Sequence, residues 1–189
     1  DVLTRPPPNQ TRHGPMRKAQ AAAKENLRTP DDEGRTPMYR ACRDGDLDRI
    51  IYLYDHGAAE DVNRPEDMGR TPFYISCWYG HVHVVQWLYA HGAEEDIRRP
   101  TKNGVTPLCV AVTAKHTAKQ LEILQWLFDH GCQDDVCKTD NEGETPMIVA
   151  TLSNNVNTMQ WLFDHGASET VCTTNSIGDT PMIVATLNN

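Results

Sequence analysis

The chain is 189 residues long, 39% hydrophobic and net −8 at neutral pH, with no purely apolar run longer than five residues, as at Leu108 to Val112. A membrane-spanning helix needs roughly 18 such residues, and the opening DVLTRPPPNQ lacks the apolar stretch of a secretion signal, so neither a membrane partner nor export is expected. Residues 1–30 hold six Lys/Arg against two acidic residues, leaving 12 basic against 24 acidic residues in the body; such a body repels a phosphate backbone, and no nucleic-acid partner is expected.

Residues 1–15, with Pro6-Pro7-Pro8 and several polar side chains, have little apolar area to bury and read as a disordered basic tail. Met16 to Leu27 is rich in Ala and Lys and reads as a helix. No repeat fits upstream of Gly34, so residues 16–32 are assigned to an N-terminal capping helix and linker.

From there the sequence repeats itself. Thr-Pro recurs at Thr36, Thr71, Thr106, Thr145 and Thr180, at intervals of 35, 35, 39 and 35. Threonine can cap a helix by accepting a free N–H of its first turn, and proline at the first helical position loses no hydrogen bond. The glycine two residues earlier (Gly34, Gly69, Gly104, Gly143, Gly178) suits a turn with positive φ. Downstream, Val82, Val85, Leu88 and Tyr89, and likewise Leu121, Leu124, Leu127 and Phe128, follow the helical period, and the glycine of His56-Gly57, His91-Gly92, His130-Gly131 and His165-Gly166 ends each second helix.

A unit of turn, helix, link, helix and loop, opened by TPMYRAC, TPFYISC, TPLCVAV, TPMIVAT and TPMIVAT, resembles the ankyrin repeat. The resemblance covers residues 33–189, as units of about 33–66, 67–101, 102–140 and 141–175 and a half repeat at 176–189. The fold class it implies is an all-α solenoid of stacked helix-turn-helix units joined by hairpin-like loops. Two departures stand out. Tyr39, Tyr74, Cys109, Ile148 and Ile183 replace the family's histidine, and the period is two residues longer, the excess falling in acidic loops that should look enlarged. Four extra residues around Lys115, His116, Thr117 and Ala118 approximate one helical turn, so they can lengthen a helix without turning its apolar face away. The last unit stops after its first helix and reads as an unfinished array.

Six cysteines contain no Cys-x-x-Cys, and Cys42 and Cys77, like Cys137 and Cys172, hold equivalent positions of neighbouring units. Packed helices lie too far apart to bridge such pairs, which points to reduced thiols in an intracellular, cytoplasmic protein, with the nucleus left open. His130, Cys132 and Cys137 with Asp134 or Asp135 form the sharpest metal candidate, yet His130 belongs to the recurring His-Gly row, where a helix dipole favours it. No metal and no cofactor are expected, and no nucleophile–base pair or phosphate loop points to an enzyme. Trp87, Trp126 and Trp161, matched by Tyr52, recur in register and read as packing between second helices.

Trp78 and Tyr79 are different, because other units carry Arg43 and Asp44, Thr113 and Ala114, or Leu152 and Ser153 there. The resemblance implies a concave groove lined by turn tips and first-helix ends. Its candidates are Asp32, Glu33 and Arg35; Asp67, Met68 and Arg70; Lys102, Asn103 and Val105; Asn141, Glu142 and Glu144; and, from the helix ends, Arg43, Asp44, Trp78, Tyr79, Leu152 and Ser153. Trp78 and Tyr79, flanked by Arg43 and Arg70, are the expected anchor for a protein partner. The expected function is a non-catalytic, monomeric scaffold or adaptor module. A targeting segment of a larger enzyme, and a metal or redox switch using Cys132 and Cys137, are the alternatives.

Overall fold

The computed structural model describes residues 27–113 and 117–187; the tail at 1–15 and the capping helix up to residue 26 lie outside them. Among the described residues there are nine α-helices and no strand: α1 (Pro37–Asp44), α2 (Leu47–Leu53), α3 (Pro72–Tyr79), α4 (Val82–Ala90), α5 (Pro107–Ala111), α6 (Thr117–Asp129), α7 (Pro146–Leu152), α8 (Val156–Asp164) and α9 (Pro181–Leu187). Odd-numbered helices pack on one another along the array, as α1 on α3 and α3 on α5, and even-numbered helices line up beside them. The fold is thus a two-row helical solenoid.

Local chemistry explains each element. The hydroxyls of Thr36, Thr71, Thr106 and Thr145 accept the backbone N–H three residues on at 3.1–3.2 Å, with proline at the first helical position. Thr180 does the same at 3.3 Å. Gly45 and Gly80 close α1 and α3 in the left-handed region, and Asn154 (φ 50°) takes that place after α7, asparagine being among the residues that tolerate it. The core runs along the array through Met38, Phe73, Leu108 and Ile148 of the first row and Leu53, Leu88, Leu127 and Leu162 of the second, all 0% exposed.

The four-residue insertion appears as an added turn. α6 has 13 residues where α4 and α8 have nine. Gln120, at the register that His81 and Asn155 hold as N-caps, is therefore carried inside the helix. Its buried amide donates to the carbonyls of Ala111 and Val112 and accepts from Asn155 at 2.7 Å, so it closes the end of α5 instead.

Second-row helices are joined by an aromatic ladder. His56, His91, His130 and His165 each donate through Nδ1 to the carbonyl four residues back at 2.7 Å and stack on the ring there, Tyr52, Trp87, Trp126 or Trp161, with centroids 4.0–4.1 Å apart. Tyr54, Tyr89 and Phe128 of the preceding unit meet Trp87, Trp126 and Trp161 edge-on at 5.2–5.9 Å. The tryptophans pack between units as expected, but they are half-buried. The histidine's role is a specific hydrogen bond and stack in addition to the dipole interaction.

The acidic loops fold as short 3-10 turns, Ala59–Asp61, Glu94–Arg98, Gln133–Val136 and Ala167–Cys172. Each of the first three encloses an aspartate, Asp61, Asp96 or Asp135, at 0–2% exposure. A buried carboxylate needs a partner. Asp61 Oδ1 receives Arg28 through Nε and Nη2 at 3.3 and 3.1 Å, and Asp135 Oδ1 receives Arg98 through the same atoms at 3.2 and 2.9 Å. In the fourth loop Thr170 replaces the acid, and its hydroxyl donates to Ala167. Asp96 has Arg99 Nη1 at 3.3 Å, and burial pushes its carboxyl up to about 6 against the pull of that guanidinium.

Two outcomes follow from these interactions. Thr145→Val keeps the side chain's shape and removes its acceptor, and should cost about 1–2 kcal/mol, a fall of roughly 2–8 °C in calorimetric Tm; Thr180→Val, at a less enclosed cap, should cost less. Asp96 binds its proton more tightly folded than unfolded, so its contribution to stability is complete below about pH 4 and is lost as pH rises through about 6. Asp96→Asn should therefore be more stable than the native chain at pH 7 by about 1–3 kcal/mol, taking about 1.4 kcal/mol per pKa unit, and the difference should vanish in denaturant titrations near pH 4.

Candidate partner-binding groove

Each turn is braced from inside. The residue three positions before the turn glycine is an acceptor: Asp31 Oδ1 takes the N–H of Glu33 and Arg35, Glu66 Oε1 those of Met68 and Arg70, and Asp140 Oδ1 those of Glu142 and Glu144, all at 2.9–3.1 Å. Asn175 Oδ1 and Thr101 Oγ1 act likewise on their turns. The turn tips are then tied to one another: Asp67, Lys102, Asn141 and Ser176 donate their backbone N–H to the carbonyls of Glu33, Met68, Asn103 and Glu142 at 2.8–3.1 Å. A Cβ on Gly104 (φ 82°) would stand 2.9 Å from the backbone nitrogen of Asn141, so the close approach demands glycine as much as the dihedral does.

This bracing determines what the candidate side chains offer. Arg70 is held in a forked pair with Glu66, Nε to Oε1 and Nη2 to Oε2, both 3.0 Å. Arg35 pairs with Asp31 at 2.9 Å and Glu33 at 2.8 Å. Arg43 pairs with Asp44 at 2.8 Å. The arginines beside the aromatic residues thus carry charges that are already matched, and Arg70 holds the Glu66 carboxyl below its usual range despite burial.

Trp78 and Tyr79 end α3 at 38% and 47% exposure, directly after fully buried Cys77. Trp78 meets Tyr74 edge-on at 6.3 Å and Tyr79 at 6.2 Å, both of its own helix. Tyr79 lies parallel to His81 at 6.3 Å, and His81 Nε2 is 2.9 Å from the carbonyl of Arg43. Met68 is 44% exposed. Buried Tyr39 and Tyr74 underlie the cluster, and burial pushes the Tyr39 hydroxyl up to about 12. The structure so gathers Arg35, Arg43, Asp44, Met68, Arg70, Trp78 and Tyr79 on the first two units.

Lys102 and Asn103 form the next tip, and Lys102 is exposed there. At the far end Glu142 is exposed and Leu152 is 50% exposed. Glu144 is half-buried, and burial with the charges of Asp140 and Glu142 raises its carboxyl. The third unit supplies no aromatic residue at the helix end; Thr113 turns its hydroxyl onto the carbonyl of Val110. The acceptors that brace the turns are absent from the sequence reading, although their spacing of three before each glycine is a visible signal.

The cysteines divide by depth. Burial pushes the thiols of Cys109 and Cys132 up to about 12 and those of Cys42 and Cys77 well above their usual value, so none is a thiolate at neutral pH. Cys132 Sγ faces the carbonyl of Ile97 and exposed Cys137 Sγ that of Gly166, each at 3.5 Å. Among the described residues no three His, Cys, Asp or Glu side chains group as metal ligands, and no helix is long and apolar enough to cross a membrane.

The family model described as ankyrin repeats (3 copies) matches residues 16–99, 61–140, 93–173 and 114–189. No curated protein matches the chain. Ankyrin repeats are generally protein–protein interaction modules and typically non-catalytic. With its capped helix pairs, glycine-bearing turn tips and four overlapping matches, the chain belongs to the ankyrin-repeat family.

Proposed function

We propose that this chain is a non-catalytic adaptor that grips a protein partner along the face formed by its turn tips and first-row helix ends, with Trp78 and Tyr79 as the anchor. The observation that carries the reading is the exposure of two adjacent aromatic side chains whose ring contacts are to their own helix and to His81 of the same unit. Interface affinity concentrates on such residues. The braced turns present this surface already ordered, which reduces the entropy lost on binding.

The fit of a partner follows from the chemistry along the row. An apolar side chain suits the step between Met68, Trp78 and Tyr79. A basic residue suits the other end, where Glu142 and Glu144 stand with Asp140. The buried reduced thiols suit a cytoplasmic or nuclear compartment.

Trp78→Ala tests the reading. Partners captured by the native chain and identified by mass spectrometry should bind the variant at least about tenfold more weakly in titration, as for loss of an interface anchor. Its Tm should fall by only about 2–4 °C, the equivalent of about 1 kcal/mol in a chain of this size. The same capture profile for both forms, or a much larger fall in Tm, would sink the anchor.

A further inference from the structure

The aspartates of the first three loops occupy one register, and the residue 33 to 37 positions earlier decides what each meets. Asp61 and Asp135 each receive a guanidinium from the preceding loop, Arg28 or Arg98, through two N–H bonds to Oδ1. Each also has a cation three residues on, Arg64 at 3.6 Å or Lys138 at 4.0 Å. At Asp96 the corresponding earlier position, 35 residues after Arg28 and 35 before Arg98, is Asn63. No hydrogen bond joins Asn63 to Asp96, and the carboxylate has the near cation, Arg99, with the Thr71 hydroxyl also lowering its pKa.

The space is open. A pocket of about 340 Å³ lies here, lined by Asn63, Gly92, Glu94, Glu95, Asp96 and Arg99. Asp96 is 2% exposed and its Oδ2 has no hydrogen-bond partner, as is also true of Asp61 and Asp135. What sets Asp96 apart is Oδ1, which lacks the two guanidinium bonds that its equivalents accept. Glu94 and Glu95 are exposed on the rim, so the pocket is acidic overall.

We propose that this pocket is a seat for the guanidinium of an arginine presented by a partner protein, taking the place that Arg28 and Arg98 fill at the flanking interfaces. The protein itself supplies the precedent for the ligand: the same loop, with the same buried acid, twice binds that group in the same manner. An incoming guanidinium would complete the charge of a carboxylate that burial leaves half-protonated near pH 6, between Arg99 on one side and Glu95 on the other. Planar, forked donors suit the site better than an ammonium, because both existing pairs engage Nε and Nη2 together. The seat shares no residue with the groove candidates, so a partner that lies across the turn tips would meet it as a second, charge-reading contact.

The probe is N-acetyl-arginine amide, titrated into the full chain and followed by amide NMR, with the citrulline and lysine analogues alongside. The arginine compound should shift the Asn63 and Asp96 signals in a saturable manner. Citrulline, uncharged and nearly isosteric, should bind at least about tenfold more weakly, having lost the charge-assisted bonds, and lysine should fall between them. Asn63→Arg should fill the seat from within, abolish the shifts and raise Tm. Asp96→Asn should abolish them by removing the acceptor. Trp78→Ala should leave them intact, which separates this proposal from the groove reading. Absence of saturable shifts, equal binding of citrulline, or full binding by Asn63→Arg or Asp96→Asn would overturn it.

Discussion

Adjacent units come closest at their turn tips, where one backbone N–H per interface donates to the tip before it and a glycine leaves room for the approach. Such a bond contributes only about 0.5–1.5 kcal/mol net, and most of the stability must come from the two apolar rows behind it. Its importance is geometric. Because it joins equivalent atoms of successive units, it admits one phase, and every other contact inherits that phase: threonine caps, histidine–tryptophan stacks and buried aspartates all recur at the same place. A slip of one residue would break each of these rows together and drive side chains into backbone at the tips.

That shared phase makes lapses meaningful. Where a position must satisfy its neighbours, the residue type returns from unit to unit, as with the tryptophans of the second row. Trp78 and Asn63 depart from their rows in opposite ways. Trp78 adds a large exposed ring where the other units carry Arg43, Thr113 or Leu152. Asn63 withdraws a charge that the flanking interfaces use. Neither departure is compensated inside the array, whereas the change from aspartate to Thr170 in the fourth loop coincides with Cys137 at the position where arginine would bridge.

The features legible in the sequence were those set by chemistry within a few residues. Threonine before proline, glycine two earlier and glycine after histidine each specify a local backbone state, and each is found as read. The acidic loops read only as the place of the extra residues, and the aspartates Asp61, Asp96 and Asp135 within them are enclosed. Two of these carboxylates, Asp61 and Asp135, are met by an arginine 33 or 37 residues away, which no local pattern conveys. Arg70 illustrates the same limit: it reads as a flank of the aromatic anchor, and the turn folds it onto Glu66. The tryptophan row was legible as packing, while its half-exposure and the edge contacts from Tyr54, Tyr89 and Phe128 needed the angle between neighbouring helices.

The added turn of α6 bears on how such an array can change in length. Four residues rotate a helix by about 400°, close to a full revolution, whereas two would rotate it by about 200° and present its polar side inward. Insertions inside the helices are therefore admissible only in near-whole revolutions. Growth of the protein within its helices is quantised, and Gln120 shows how a residue at the cap register finds new work when a step is taken.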